Sequence, residues 1–268
     1  MEVIIFFLGG FIIGSFLNVV IVRYGTGKSV FKGRSRCFAC GHVLAWDELI
    51  PLVSFFIQKG RCRACDTRIS WQYPAVEFLT GIVFLSIWWK AQQLVISYWP
   101  LVVHSYWLLA IGYWLIFFGL LIVIAVYDFR TKIIPDRFVY PLIYLSASSA
   151  FLNYYALRVT GYGLLVDAIA AMSAAAFFAF LWLVSRGRWI GFGDAKLTLG
   201  IGFFLGWPLI LLALLFAFWS AALVGIGLVI GKGYTRKSEI PFGPFLALGA
   251  FAAFLIGENM LLWYGGII

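Results

Sequence analysis

The stretch LTLGIGFFLGWPLILLALLFAFWSAALVGIGLVI, from Leu197 to Ile230, runs for 34 residues without a charged side chain. A helix needs about 20 apolar residues to cross the hydrocarbon core of a bilayer. The run is therefore too long for one span. Gly206-Trp207-Pro208 lies in its middle, and proline cannot continue the hydrogen-bond ladder of a helix. Two spans meeting at this break are expected. Reading outward, other apolar stretches with at most one charged residue each place further spans at Val3–Val22, Tyr73–Trp89, Leu101–Val126, Phe138–Leu157, Leu164–Val184 and Pro241–Trp263. The sixth span is short unless it begins near Trp189, which puts Gly191 to Lys196 at its mouth.

The whole composition agrees. Of 268 residues, 63% are hydrophobic and 12% charged, with mean hydropathy +0.99. A soluble domain is nearer a quarter charged and must cover its own surface with polar groups. A soluble enzyme, a disordered chain and a secreted disulfide scaffold are excluded. The 12 Trp and 13 Tyr suit aromatic belts at two membrane interfaces. The expected fold is an all-α polytopic membrane protein of about eight transmembrane helices. Its parts are a first span (1–23), a polar loop (24–72) and a seven-span domain (73–268). The first apolar run lacks a basic n-region and a small-residue cleavage site, so it reads as a retained span.

Charge sets the orientation. Loops after the odd-numbered spans hold 18 of the 20 Lys and Arg residues, and the opposite side keeps only Lys90 and Arg158. By the positive-inside rule, the odd loops are cytoplasmic and both termini face out. The net charge of +9 is thus chiefly a topology signal, with some attraction to anionic lipid. It is spread over four loops, which argues against a nucleic-acid surface.

All four cysteines fall in the first cytoplasmic loop, as Cys37-Phe-Ala-Cys40 and Cys62-Arg-Ala-Cys65, with 21 residues between the pairs. Two such knuckles give tetrahedral thiolate ligation of Zn²⁺. Gly41 and Asp66 follow them, where tight turns are expected. Two disulfides, free thiols and an iron–sulfur centre are the alternatives; a reducing compartment disfavours disulfides. A closed four-sulfur site is structural, and metal binding supplies folding free energy that a loop of this size lacks. Between Tyr24 and Tyr73 there are eight basic and three acidic residues, so the surroundings also offset the charge of a zinc–thiolate centre.

Only 11 acidic residues exist. Asp128, in Tyr127-Asp128-Phe129-Arg130, and Asp194, in Gly191-Phe-Gly-Asp194-Ala-Lys196, stand at the cytoplasmic ends of the third and sixth spans. Carboxyls near hydrocarbon are costly and face protein or water. Two that converge share a proton, the arrangement of aspartic proteolysis. The plainer reading pairs them with Arg130 and Lys196. Gly191 and Gly193 favour the first reading, because they admit a substrate backbone beside Asp194. Asp136 reads as an early-helix acid facing the dipole. Lys196 is a positive-inside residue or acts on Asp194. Glu77 orients a substrate amine or a cofactor, or pairs with a loop base. Asp167 caps a helix. Pro241, Gly243 and Pro244 shape an extended substrate strand or form a tight entry to the last span.

These residues carry a family resemblance over almost the whole chain. Gly14-Ser-Phe-Leu-Asn-Val19, the two C-x-x-C knuckles, Pro51-Leu-Val-Ser-Phe55, Tyr73-Pro-Ala-Val-Glu77 and Asp128 stand in order. Ile134-Pro135-Asp136, Gly191-Phe-Gly-Asp-Ala-Lys196 and Ile240-Pro-Phe-Gly-Pro-Phe-Leu-Ala-Leu-Gly249 follow. The chain resembles the bacterial prepilin peptidases of the type IV leader peptidase family, with no departure at the aspartates or cysteines. The resemblance implies a GxGD aspartic protease of the bacterial inner membrane. Such enzymes cleave the basic leader of type IV prepilins and pseudopilins at the cytoplasmic face, with Asp128 and Asp194 as the matching pair. It also implies N-methylation of the new terminus with S-adenosylmethionine, with the first span and cysteine loop as its neighbourhood. Two other readings remain: a GxGD protease without methylation, and an ion-coupled transporter or scaffold, which predicts acids near the bilayer midplane.

Overall fold

In the computed structural model, residues 2–97, 100–152, 163–231 and 240–265 are described. Arg158, Lys232, Arg236 and Lys237 of the charge argument lie outside them. The described secondary structure is helical: α1 (Glu2–Arg23), α2 (Val53–Ile57), α3 (Gln72–Ser97), α4 (Pro100–Thr131), α5 (Asp136–Leu152), α6 (Leu164–Ser185), α7 (Phe192–Leu205), α8 (Leu209–Ile230) and α9 (Gly243–Gly265). Two isolated antiparallel bridges, Arg36 with Val43 and Arg61 with Arg68, occur in the cysteine loop.

The expected break is where α7 ends and α8 begins. Gly206 closes α7 at φ +67° while its N–H donates to the Gly202 carbonyl, a backbone conformation glycine adopts without a Cβ clash. Among the described residues, five helices are long and apolar enough to cross a membrane: α1, α4 over Leu108–Thr131, α6, α8 and α9 over Gly243–Trp263. The spans expected second, fourth and sixth correspond to α3, α5 and α7. α5 contains Pro141 and is described over 17 residues; α7 has only 14. On α8, the large apolar residues Leu211, Leu215, Trp219, Leu223, Ile226 and Ile230 are exposed at helical spacing. Water gives no reason for such a stripe, whereas lipid does.

The chain forms two compact units, Met1–Val123 and Ile124–Ile268. In the first, α1 packs along α3. Gly10 and Gly14 make the approach possible: a Cβ at Gly14 would lie 2.7 Å from Glu77 Cα, and one at Gly10 would lie 2.6 Å from Gly81 Cα. Small residues four apart let helix backbones approach closely in a membrane.

In the second unit, α7 is the central helix, packed against α5, α6 and α9, while α8 lies along α9. Half of α7 is buried, including Asp194, Leu197, Thr198 and Ile201. Phe178 of α6 and Phe218 of α8 stack with ring centroids 5.9 Å apart, and Phe242 packs on both, at 5.7 and 5.2 Å. That cluster fixes the chain immediately before α9.

Candidate active site and metal centre

Asp128 sits one turn before the C-terminus of α4, and Asp194 in the first turn of α7. Both belong to the second unit, and both are buried, at 4% and 6% exposure. They lie close enough for the Asp128 charge to act on Asp194. Each carboxyl is held by one glycine amide. Gly243, at the start of α9, donates its N–H to Asp128 Oδ2 at 3.0 Å. Gly191 donates to Asp194 Oδ2 at 3.1 Å, as an N-terminal capping interaction of α7. Asp194 Oδ1 is buried with no hydrogen-bond partner among the described residues. Neither aspartate is in a described ion pair, so the pairing with Arg130 and Lys196 is not what the structure shows.

Lys196 has another partner. Its ammonium contacts Asp136 Oδ1 at 2.5 Å and lies over the rings of Tyr140 and Phe192. Asp136 starts α5, so this pair joins the first turn of α5 to the second turn of α7. Gly193 also differs from expectation. A Cβ there would come 2.7 Å from Ile134 Cβ, so the glycine makes room for the α4–α5 turn rather than for a substrate. At Gly191 a Cβ would meet Asp194 Oδ2 at 3.5 Å and the Gly193 N at 3.9 Å, both ordinary contacts. Pro241 precedes the aromatic anchor Phe242, and Pro244 stands in the first turn of α9, where its missing N–H costs nothing. Asp167 does not cap its own helix; it accepts the Trp207 N–H at 2.8 Å and ties α6 to the α7–α8 break.

The cysteine centre belongs to the first unit. The two knuckles repeat one geometry. Cys37 N–H donates to the His42 carbonyl and Gly41 N–H to that of Cys37; Cys62 N–H donates to Thr67 and Asp66 N–H to Cys62, all at 2.9–3.0 Å. Gly41 and Asp66 take the same left-handed turn, at φ +75° and +55°. The four sulfurs lie within 4.8 Å of one another, and Cys37 and Cys65 are 3.8 Å apart. A tetrahedron of ~2.3 Å Zn–S bonds has edges of about 3.8 Å, so the residues fit the metal. All four cysteines are unbridged. Backbone amides of Cys40 and Ala39 hold the Cys37 thiol below its ordinary range, and hydrogen bonds to Thr67 bring Cys65 down to about 6. Both changes favour the thiolate that ligates metal, whereas the Cys40 thiol, against a bond from the His42 backbone, is pushed up to about 11 by desolvation and by the neighbouring sulfurs.

The loop between the knuckles is ordered by acids. Glu48 accepts the Ala45 N–H at 2.9 Å and contacts His42 Nε2 at 3.0 Å, and Asp47 pairs with Arg63 at 2.8 Å. These bonds hold the Glu48 and Asp47 carboxyls below their usual range.

Glu77 pairs with no loop base among the described residues. Its Oε2 accepts the Leu52 N–H at 2.8 Å. Leu52 itself has φ +61° and ψ −53°, with Val53 N–H donating to the Pro51 carbonyl at 2.6 Å. This is a γ-turn of the rare, strained hand. Neither the turn nor the bond to Glu77, 25 residues away, was legible in the sequence. The Gly10–Gly14 spacing was a visible sign of α1–α3 packing that went unread.

Comparison with known proteins follows this division. Residues 8–91 match the family described as "Bacterial Peptidase A24 N-terminal domain", and residues 115–226 match "Type IV leader peptidase family". The cysteines and Glu77 fall in the first match, and both aspartates in the second. A Bacillus subtilis protein named "Prepilin leader peptidase/N-methyltransferase" is 32% identical over 264 residues, covering 97% of this chain and 96% of its own. The Aeromonas salmonicida protein of that name is 30% identical, covering 96% and 92%. The Myxococcus xanthus one is 34% identical over 85% of this chain and 63% of its own. No solved structure matches the chain significantly.

Proposed function

The chain belongs to the type IV leader peptidase family, and from that membership and its paired carboxyls we propose that it is a prepilin leader peptidase and N-methyltransferase. It is an integral membrane protein that removes the basic leader of type IV prepilins or pseudopilins, with Asp128 and Asp194 as the catalytic pair. The observation that carries the assignment is the pair itself: two buried aspartates within electrostatic range, each tethered by one oxygen to a glycine amide.

Two carboxyls so placed share one proton. The ionised member takes a proton from water as the water attacks the scissile carbonyl. The protonated member donates to the carbonyl oxygen as it gains charge, and a proton passed to the amine nitrogen completes cleavage. Tethering one oxygen of each carboxyl leaves the other to water and substrate. Asp194 Oδ1, buried and unpartnered, is such an oxygen. The scissile bond must leave the helical state, since a helix occupies its carbonyls.

Orientation follows from charge. With the odd loops cytoplasmic, the aspartates stand at the cytoplasmic interface, both termini are periplasmic, and a basic leader reaches the site from the cytoplasm. The membrane is the bacterial inner membrane. Cys37, Cys40, Cys62 and Cys65 hold a structural Zn²⁺. S-adenosylmethionine supplies an electrophilic methyl group for the new N-terminus.

The test is incubation of the zinc-loaded protein with a prepilin and S-adenosylmethionine, then mass measurement of the product's N-terminus. Loss of the leader and addition of one methyl group are expected. An intact prepilin would overturn the peptidase assignment; cleavage without methyl addition would limit the chain to proteolysis.

A further inference from the structure

Methyl transfer to a peptide amine needs the amine seated and relieved of a proton, because an ammonium has no free lone pair. The first unit holds a carboxylate suited to that task. Glu77, in the second turn of α3, is 7% exposed. Its described hydrogen-bond partner is the neutral Leu52 amide. The neighbouring loop is rich in cations, yet they are engaged elsewhere or do not reach it. Arg61 pairs with Asp66 and Arg63 with Asp47. Arg23 donates to the carbonyls of Ser29 and Lys32. Among the described residues, no cation neutralises Glu77. A buried carboxylate without a counter-charge is costly and marks a site that meets a cation from outside.

The seat is held from three sides. Gly14 brings the α1 backbone against Glu77. Asn18, 1% exposed, donates to the Tyr73 carbonyl at 3.1 Å and accepts from Gln72 at 3.2 Å, which locks α1 to the first turn of α3. The Leu52 turn closes the third side. The seat therefore lies where α3 leaves the cysteine loop.

We propose that Glu77 receives the N-terminal ammonium of the processed substrate and takes its proton for methyl transfer, an assignment that rests on the methyltransferase reading above. The ammonium passes one proton to the Glu77 carboxylate. The freed nitrogen lone pair forms the N–CH₃ bond while the methyl donor's C–S bond breaks, its electron pair staying on sulfur. The product leaves as a secondary ammonium, and Glu77 returns its proton to solvent. The methyl donor also carries cations, its sulfonium and the α-ammonium of its methionyl part, so the test must distinguish the substrate amine from these.

Glu77→Gln tests this, because the amide oxygen still accepts from Leu52. Three readouts are taken on full-length, zinc-loaded protein: leader cleavage, methyl transfer from labelled S-adenosylmethionine, and binding of an apolar peptide starting with Phe, free or N-acetylated. The variant is expected to cleave within about threefold of wild type and to methylate about 10²-fold more slowly, the scale of a lost general base. Wild type is expected to bind the free peptide about tenfold more tightly than the acetylated one, and the variant to lose that preference. Methylation by the variant within threefold of wild type overturns the proposal, as does slowed methylation with the preference for the free peptide kept. Should the variant not fold, equal binding of the two peptides by wild type overturns it and a clear preference supports it. A wild type that cleaves but does not methylate defeats the parent reading, which is a separate result.

Discussion

Gly243 donates its backbone N–H to Asp128 Oδ2 at 3.0 Å, across 115 residues of sequence. The end of α4 is thereby fixed by the start of α9. Phe242, held between Phe178 and Phe218, sets the position of that amide. An aromatic cluster inside the bundle thus determines where the Asp128 carboxyl stands.

Gly243→Ala tests this relationship. The added Cβ would lie 2.7 Å from Asp128 Oδ2 and must displace the carboxyl. Displacements of this order cost about 10²-fold in rate. Leader cleavage is expected to fall by about that factor, with zinc content and membrane yield unchanged. A variant of full activity would remove the positional role of Gly243.

Lys196 is expected to matter little for chemistry. It pairs with Asp136, which is about half exposed, and such pairs contribute at most about 1 kcal/mol. Lys196→Met should therefore lower thermal stability slightly and leave the cleavage rate within about threefold. A large fall in rate would show that Lys196 acts on Asp194 after all.

Removing the metal should loosen the loop and spare the second unit. Purified protein is expected to hold about one zinc per chain. A chelator, or Cys62→Ser with Cys65→Ser, should expose residues 24–72 to protease, because metal binding supplies on the order of 10 kcal/mol to folding of such sites. Full protease resistance of a zinc-free protein would refute a structural metal.

Acid should weaken the same loop through Glu48. Its carboxyl is held below the usual range by the Ala45 N–H, then by His42. Its stabilising contribution is complete above the unfolded carboxyl value, about 4.3, and is lost as pH falls through the lower folded value. The Ala45 amide resonance should therefore titrate with a midpoint below about 4.3, and Glu48→Gln should abolish that titration. A midpoint at or above the unfolded value would contradict the bond.

What the sequence revealed was local. Charge-poor runs marked the helices because hydrocarbon excludes charge, and Gly206-Trp207-Pro208 marked the break because proline ends a ladder. The knuckles were legible because each folds on six consecutive residues. Asp128 and Asp194 stood out because carboxyls are scarce near apolar runs. Their tethers were only half visible. Gly191 is three residues from Asp194, a capping spacing; Gly243 is joined to Asp128 only by tertiary packing. Likewise Ile134 fills the space left by Gly193, and Asp136 takes Lys196 from 60 residues away. No period or spacing encodes such contacts.

On this assignment Asp128 and Asp194 act as one unit in leader cleavage, and the initial rates of Asp128→Asn, Asp194→Asn and the double variant on a full-length prepilin test it. Residues that act together lose function together. Each single variant should be as inactive as the double one, with each protein present in the membrane and loaded with zinc. Cleavage by either single variant at a rate near that of wild type would contradict the account.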